Sequence, residues 1–168
     1  MYKRQLLYYK QTDEGWEYSG RYLDLDLNGK TIPTWGDIDQ DNDDDLVVGT
    51  KDGMVSVYIN NGDISSLEFV TQTDIGDDAA PTVLSNGAII AGNKMGDLQL
   101  LYYDSGNLII ADMPEYPYCG QNLAPYPLPT NESQEFENLL VGSKAGGVQY
   151  LSYNSFKNYV CIFFIVYH

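Results

Sequence analysis

Histidine is almost missing from this chain of 168 residues, and its one copy, His168, comes last. Relays in which an imidazole activates a serine or cysteine therefore have no base in sequence reach of Ser152, Ser155, Cys119 or Cys161. Cysteine is scarce too. Cys119 and Cys161 do not make a disulfide framework, and the pair can bridge or stay as free thiols. Basic residues are few: 9 Lys and Arg stand against 24 Asp and Glu, for a net charge of -15. Such a chain repels phosphate backbones and anionic headgroups, which argues against nucleic acid or a membrane surface as partner. Long apolar runs are absent. The longest, Tyr159 to Tyr167, has nine residues, against the roughly 20 of a spanning helix, so no membrane insertion is expected. Met1-Tyr-Lys-Arg-Gln5 leads into no apolar core or small-residue cleavage pattern, and does not read as a signal peptide. No stretch keeps a convincing helical period; Glu132 to Leu140 offers at most a turn.

What is present points to β structure. The chain holds 15 Tyr, 5 Phe, 2 Trp and 16 Gly, and its length suffices for a real core. One pattern recurs three times. Leu46-Val-Val-Gly49-Thr-Lys-Asp-Gly53 leads into Met54 to Tyr58, Ile89-Ile-Ala-Gly92-Asn-Lys-Met-Gly96 into Asp97 to Tyr102, and Leu139-Leu-Val-Gly142-Ser-Lys-Ala-Gly146 into Gly147 to Tyr150. Each copy reads as a short apolar strand, a glycine-cornered turn and an alternating strand. Pro33, Pro81 and Pro125 mark the same units, 48 and 44 residues apart, a spacing that suits four strands per unit. The single repeat domain then spans 1–168, with units at about 1–32 (the end of one unit), 33–80, 81–124 and 125–168. Strands are expected at Leu46 to Thr50 and Met54 to Ile59. Val47, Val55, Val57, Ile90, Leu98, Leu100, Val141 and Val148 are the expected buried positions.

The chemistry is concentrated between the first of these prolines and the first of these glycines. Six of the nine residues from Asp37 to Asp45 are aspartates, and charges so crowded repel unless something cancels them. In a tight loop, alternate side chains converge. Asp37, Asp39 and Asp41 would offer carboxylates, Asp43 its backbone carbonyl, and Asp45 would close the sphere around one hard cation. Calcium suits that flexible oxygen set better than magnesium, which demands a tight octahedron. Asn42 stands where the loop must turn sharply, and asparagine tolerates the left-handed region. The sequence argues against a helical EF-hand, since its twelfth position falls on Val48 rather than a bidentate Glu. Asp44 falls out of register and reads as surface charge. The plainer alternative is a solvated acidic loop with no ion. The corresponding stretches of the other units, Ser85-Asn86-Gly87 and Thr130 to Asn138, lack the alternating carboxylates.

The stretch Gly36 to Tyr58, with Asn60-Asn61-Gly62 after it, resembles the FG-GAP and VCBS type repeat of the integrin α-subunit propeller and many bacterial surface proteins. That resemblance implies an all-β β-propeller with four-stranded blades, and calcium held by Asp37, Asp39, Asp41, Asp43 and Asp45. It also implies an extracellular or cell-surface setting and a non-catalytic role in adhesion or in binding a protein or carbohydrate ligand. A polysaccharide-active propeller enzyme and a purely structural repeat fragment without its own ligand are the alternatives. The chain has room for only three to three and a half blades, so the expectation is an incomplete propeller. It would be completed by further blades of a longer chain or by a homo-oligomer, and self-association is expected where end faces lie open. Tyr116, Tyr118 and Tyr126, set among prolines, are either a sugar platform or packing. Asn131-Glu-Ser133 fits a glycosylation acceptor, a triplet common by chance.

Overall fold

The computed structural model describes residues 7–21, 29–64, 66–128, 137–153 and 159–165. His168, Ser155, the Asn131 acceptor triplet and most of the Thr130 to Asn138 loop lie outside them. The described chain is all β, in four antiparallel sheets. The first is a hairpin of β1 (Leu7–Thr12) and β2 (Gly15–Arg21). The second holds β3 (Thr31–Gly36), β4 (Asp45–Thr50), β5 (Met54–Ile59) and β6 (Glu68–Asp74) in chain order. The third is β7 (Ala80–Val83), β8 (Ile89–Gly92), β9 (Leu98–Asp104) and β10 (Asn107–Ala111). The fourth is β11 (Ala124–Leu128), β12 (Asn138–Gly142), β13 (Val148–Tyr153) and β14 (Tyr159–Ile165).

The repeated residues occupy matching registers. Pro33, Pro81 and Pro125 each lie on the first strand of a sheet, opposite Val48, Ala91 and Val141, the residues just before the repeated glycines. Proline removes a ladder donor, so an outermost strand is where it does least harm. In the first two copies, the side chain of the polar residue after the first glycine closes the turn. Thr50 Oγ1 accepts the Met54 N–H at 3.1 Å, while Asn93 Oδ1 accepts the N–H groups of Met95, Gly96 and Asp97 at 3.0–3.1 Å. Backbone bonds then tie both of these turns to the segment entering the next sheet. The Ala79 N–H donates to Thr50 O, and the Leu123 N–H donates to Asn93 O.

Two apolar clusters hold the sheets in series. Val47, Val55, Val57, Ile89 and Leu101 pack between the second and third sheets, and Ile90, Leu100, Leu139, Val141 and Leu151 between the third and fourth. Neighbours Ile89 and Ile90 on β8 thus face opposite clusters. A strand covered on both faces needs a continuous apolar run, and that is why β4 and β8 read as such. Seven of the eight expected core positions are buried. The exception is Val148, which is 49% exposed. It matches Val55 and Leu98, whose side chains point toward the following sheet, and among the described residues no sheet follows the fourth.

The propeller expectation is corrected by this arrangement. Each sheet is an open ladder with two free edges, and none curls or closes with the others into a ring. The main contacts between sheets run from second to third and from third to fourth, through β3 against β7 and β7 against β11. Ring closure would need comparable packing of the fourth sheet on the first. The hairpin instead carries Trp16 and Tyr18 exposed.

Candidate metal centre

The acidic loop joins β3 to β4, which pair from Thr31 with Thr50 to Gly36 with Asp45. Its shape comes from its own carboxylates. Asp37 accepts the N–H groups of Asp41 and Asn42, both at 3.0 Å, and Asp41 accepts that of Asp43 at 2.9 Å. Such side-chain-to-backbone bonds are the usual means by which aspartate builds a turn. Gln40 and Asn42 are left-handed, with φ of 65° and 75°. The turn expected at Asn42 is there, and Gln40 adds a second that the sequence did not announce.

Three of the five expected ligands converge. Oxygens of Asp37, Asp39 and Asp45 all lie within 4.8 Å of one another. Asp45 is fully buried, Asp37 half-buried and Asp39 exposed. The carboxylates of Asp41 and Asp43 are not in that group, and Asp43 is expected through its backbone carbonyl instead. Asp41 spends an oxygen on the Asp43 N–H, and Asp43 sits beside Gly62. Asp44 is exposed, as its register implied. Burial, then the neighbouring carboxylates of Asp45 and Asp41, raise the pKa of Asp39. Burial raises that of Asp45 as well, against backbone N–H donors that pull it down. Three carboxylates at this spacing can hold a metal ion, because a cation would offset both the mutual repulsion and the desolvation.

The site has a member outside the acidic stretch. Asn60, at the end of β5, donates its N–H to Asp45 Oδ1 at 2.8 Å and its Nδ2 to the Asp44 carbonyl at 3.2 Å. It is 7% exposed, and its Oδ1 is a buried acceptor with no partner. The Asn60-Asn61-Gly62 run was visible in the sequence, but nothing there linked it to a residue 15 positions earlier.

The loop also leans on its neighbour. Gln40 Nε2 donates to Asn86 O at 3.1 Å in the β7–β8 turn, where Gly87 has a φ of 80°. A Cβ on Gly87 would come within 2.9 Å of Ile38 O and 3.1 Å of Asp37 O. That turn in turn donates the Ser85 N–H to Glu137 Oε1 at 2.8 Å. The β3–β4 and β7–β8 connections and the residue leading into β12 thus touch in succession.

Other expected features take structural places. The Tyr116 hydroxyl accepts the Leu98 N–H at 2.9 Å and so serves packing, whereas Tyr118 and Tyr126 are exposed. No disulfide joins Cys119 to Cys161. A mixed-charge cleft of about 340 Å³ lies at the opposite end of β4, lined by Gly29, Lys51, Asp52, Asp77, Asp78 and Lys94. Among the described residues no helix is long and apolar enough to cross a membrane.

No family model matches the chain, and neither a curated protein nor a solved structure does. Together with the unclosed sheets, this sets aside the resemblance to FG-GAP and VCBS repeats and the propeller-based binding and adhesion role drawn from it.

Proposed function

We propose that the chain is a non-catalytic all-β scaffold whose β3–β4 loop is locked by one calcium ion. The observation that carries this reading is the convergence of Asp37, Asp39 and Asp45, with the buried Asp45 at its base. All the donors are oxygens, which favours a hard cation. A loop shaped by its own side chains has no rigid octahedral cage, and calcium accepts such irregular spheres more readily than magnesium. Asp41 and the Asp43 carbonyl, the other two expected ligands, lie on the same loop and would complete the oxygen set. A site of this kind fits an extracellular or cell-surface setting, where calcium modules work with dissociation constants of about 10⁻⁴–10⁻³ M.

A second reading has its own support. The bonds from Asp37, Asp41 and Asp45 to backbone N–H groups already close the loop without an ion. Titration calorimetry with calcium and with magnesium separates the two. One calcium per chain, with magnesium at least about tenfold weaker, supports the proposal. Heat no different from buffer for both ions establishes the ion-free loop instead.

A further inference from the structure

We infer that Asn60 is a cation ligand, through its side-chain oxygen, in addition to the aspartates. This rests on the reading of the β3–β4 loop as a cation site and extends it to the end of β5, outside the acidic stretch. The amide of Asn60 has a settled orientation, because Nδ2 donates to the Asp44 carbonyl at 3.2 Å. Its backbone N–H is bonded to Asp45 Oδ1 at 2.8 Å, so the residue sits against the base of the carboxylate group. Oδ1 is then the side-chain polar atom of Asn60 with nothing to bind, in a residue that is 7% exposed. A buried acceptor left unpaired is costly, and native proteins seldom keep one without a purpose. Amide oxygens are ordinary calcium ligands, and a neutral one adds a donor without adding to the repulsion among Asp37, Asp39 and Asp45. The other orphaned side-chain acceptor among the described residues, Gln149 Oε1, is in the fourth sheet, away from this group.

Asn60→Ala and Asn60→Asp separate a ligand from a structural cap. Both lose the donor to Asp44, but only aspartate keeps an oxygen at that position. A ligand role predicts that Asn60→Ala weakens calcium binding about 10–100-fold, while Asn60→Asp binds as tightly as the parent or tighter. A cap alone predicts that the two variants weaken binding equally, or that neither does, and either result overturns the inference. Circular dichroism in chelator checks that each variant folds. If Asn60→Ala does not, the parent chain still decides. On adding calcium, the Asn60 side-chain ¹³Cγ resonance should shift along with the Asp37 and Asp39 carboxyl resonances. Carboxyl shifts without an Asn60 shift would sink this inference and leave the metal site standing, whereas no shift at any of them would sink both.

Discussion

Asp45 Oδ1 accepts the backbone N–H of Asn60 at 2.8 Å, and the other oxygen of the same carboxylate accepts that of Ile38, also at 2.8 Å. One buried side chain therefore ties the start of the acidic loop to the end of β5. Two strand ends and the loop between them depend on it, whether or not an ion is bound.

Removing that carboxylate should show as a loss of stability even in chelator. Asp45→Ala leaves two buried N–H donors unpaired, at about 1–3 kcal/mol each. Urea denaturation should show a loss of about 2–6 kcal/mol. Asp45→Asn keeps one oxygen and should cost visibly less. Equal stability of the alanine variant and the parent would mean that the clamp contributes nothing.

The repeated glycines divide into two kinds, and substitution should tell them apart. A Cβ on Gly92 would fall inside the Leu123 carbonyl and side chain, where the entry to the fourth sheet crosses β8. At Gly142 the nearest atom to such a Cβ is Ala124 O, at 3.9 Å, an ordinary contact. Gly92→Ala should lower stability by about 1–3 kcal/mol through overpacking. Gly142→Ala should be neutral or stabilising by up to about 1 kcal/mol through reduced freedom of the unfolded chain. Thermal melts of both variants test this, and similar losses in the two would disprove the distinction.

Cys119 gives the fold a dependence on alkaline pH. Burial in the cluster between the third and fourth sheets, with the Cys161 thiol as a smaller cause, raises its pKa from 9.0 to about 11. The folded chain thus holds this proton where the unfolded chain releases it. The resulting stability is fully present below pH 9 and is lost as pH rises toward 11. Over that window it amounts to about 2–3 kcal/mol. The difference in denaturation free energy between the parent and Cys119→Ala should shrink by this amount from pH 8.5 to about pH 11. A difference that does not change with pH would exclude the thiol as its source.

Strand positions were legible because local rules govern them. The apolar runs at β4, β8 and β12 and the glycine-cornered turns after them need only neighbouring residues, and both formed where the sequence placed them. The joining of sheets was not legible. Ring closure depends on faces far apart in the chain, and a repeat spacing carries no record of whether the last sheet meets the first. Val148 failed for the same reason, since its burial needed a further sheet rather than a local pattern. At the site, the density of aspartates pointed to the right loop, but which carboxylates converge depends on the backbone. The Asp41 carboxylate, outside the converging trio, is bonded to the Asp43 N–H. Asn60 was brought in by the pairing of β4 with β5, which no spacing within the acidic stretch reveals.

Asp39 should stabilise or destabilise the chain according to whether calcium is present. It is the exposed member of the converging trio, and its carboxylate lies among those of Asp45, Asp41 and Asp37. Without an ion, that charge adds repulsion that the Asp41 backbone N–H offsets only in part. Asp39→Asn keeps the shape and an oxygen while removing the charge, so in chelator it should stabilise the chain by a few tenths to about 1 kcal/mol. With calcium at 100 times its dissociation constant, the parent gains about 2.7 kcal/mol from binding, and a variant that binds weakly gains little. The order of the two melting temperatures should therefore reverse between chelator and calcium. Asp44→Asn serves as the control, since that exposed residue lies outside the converging group and should shift neither melt by more than about 0.5 kcal/mol. If Asp39→Asn is the more stable chain in both buffers, Asp39 is not a ligand; if it is the less stable in both, its charge does not destabilise the ion-free loop.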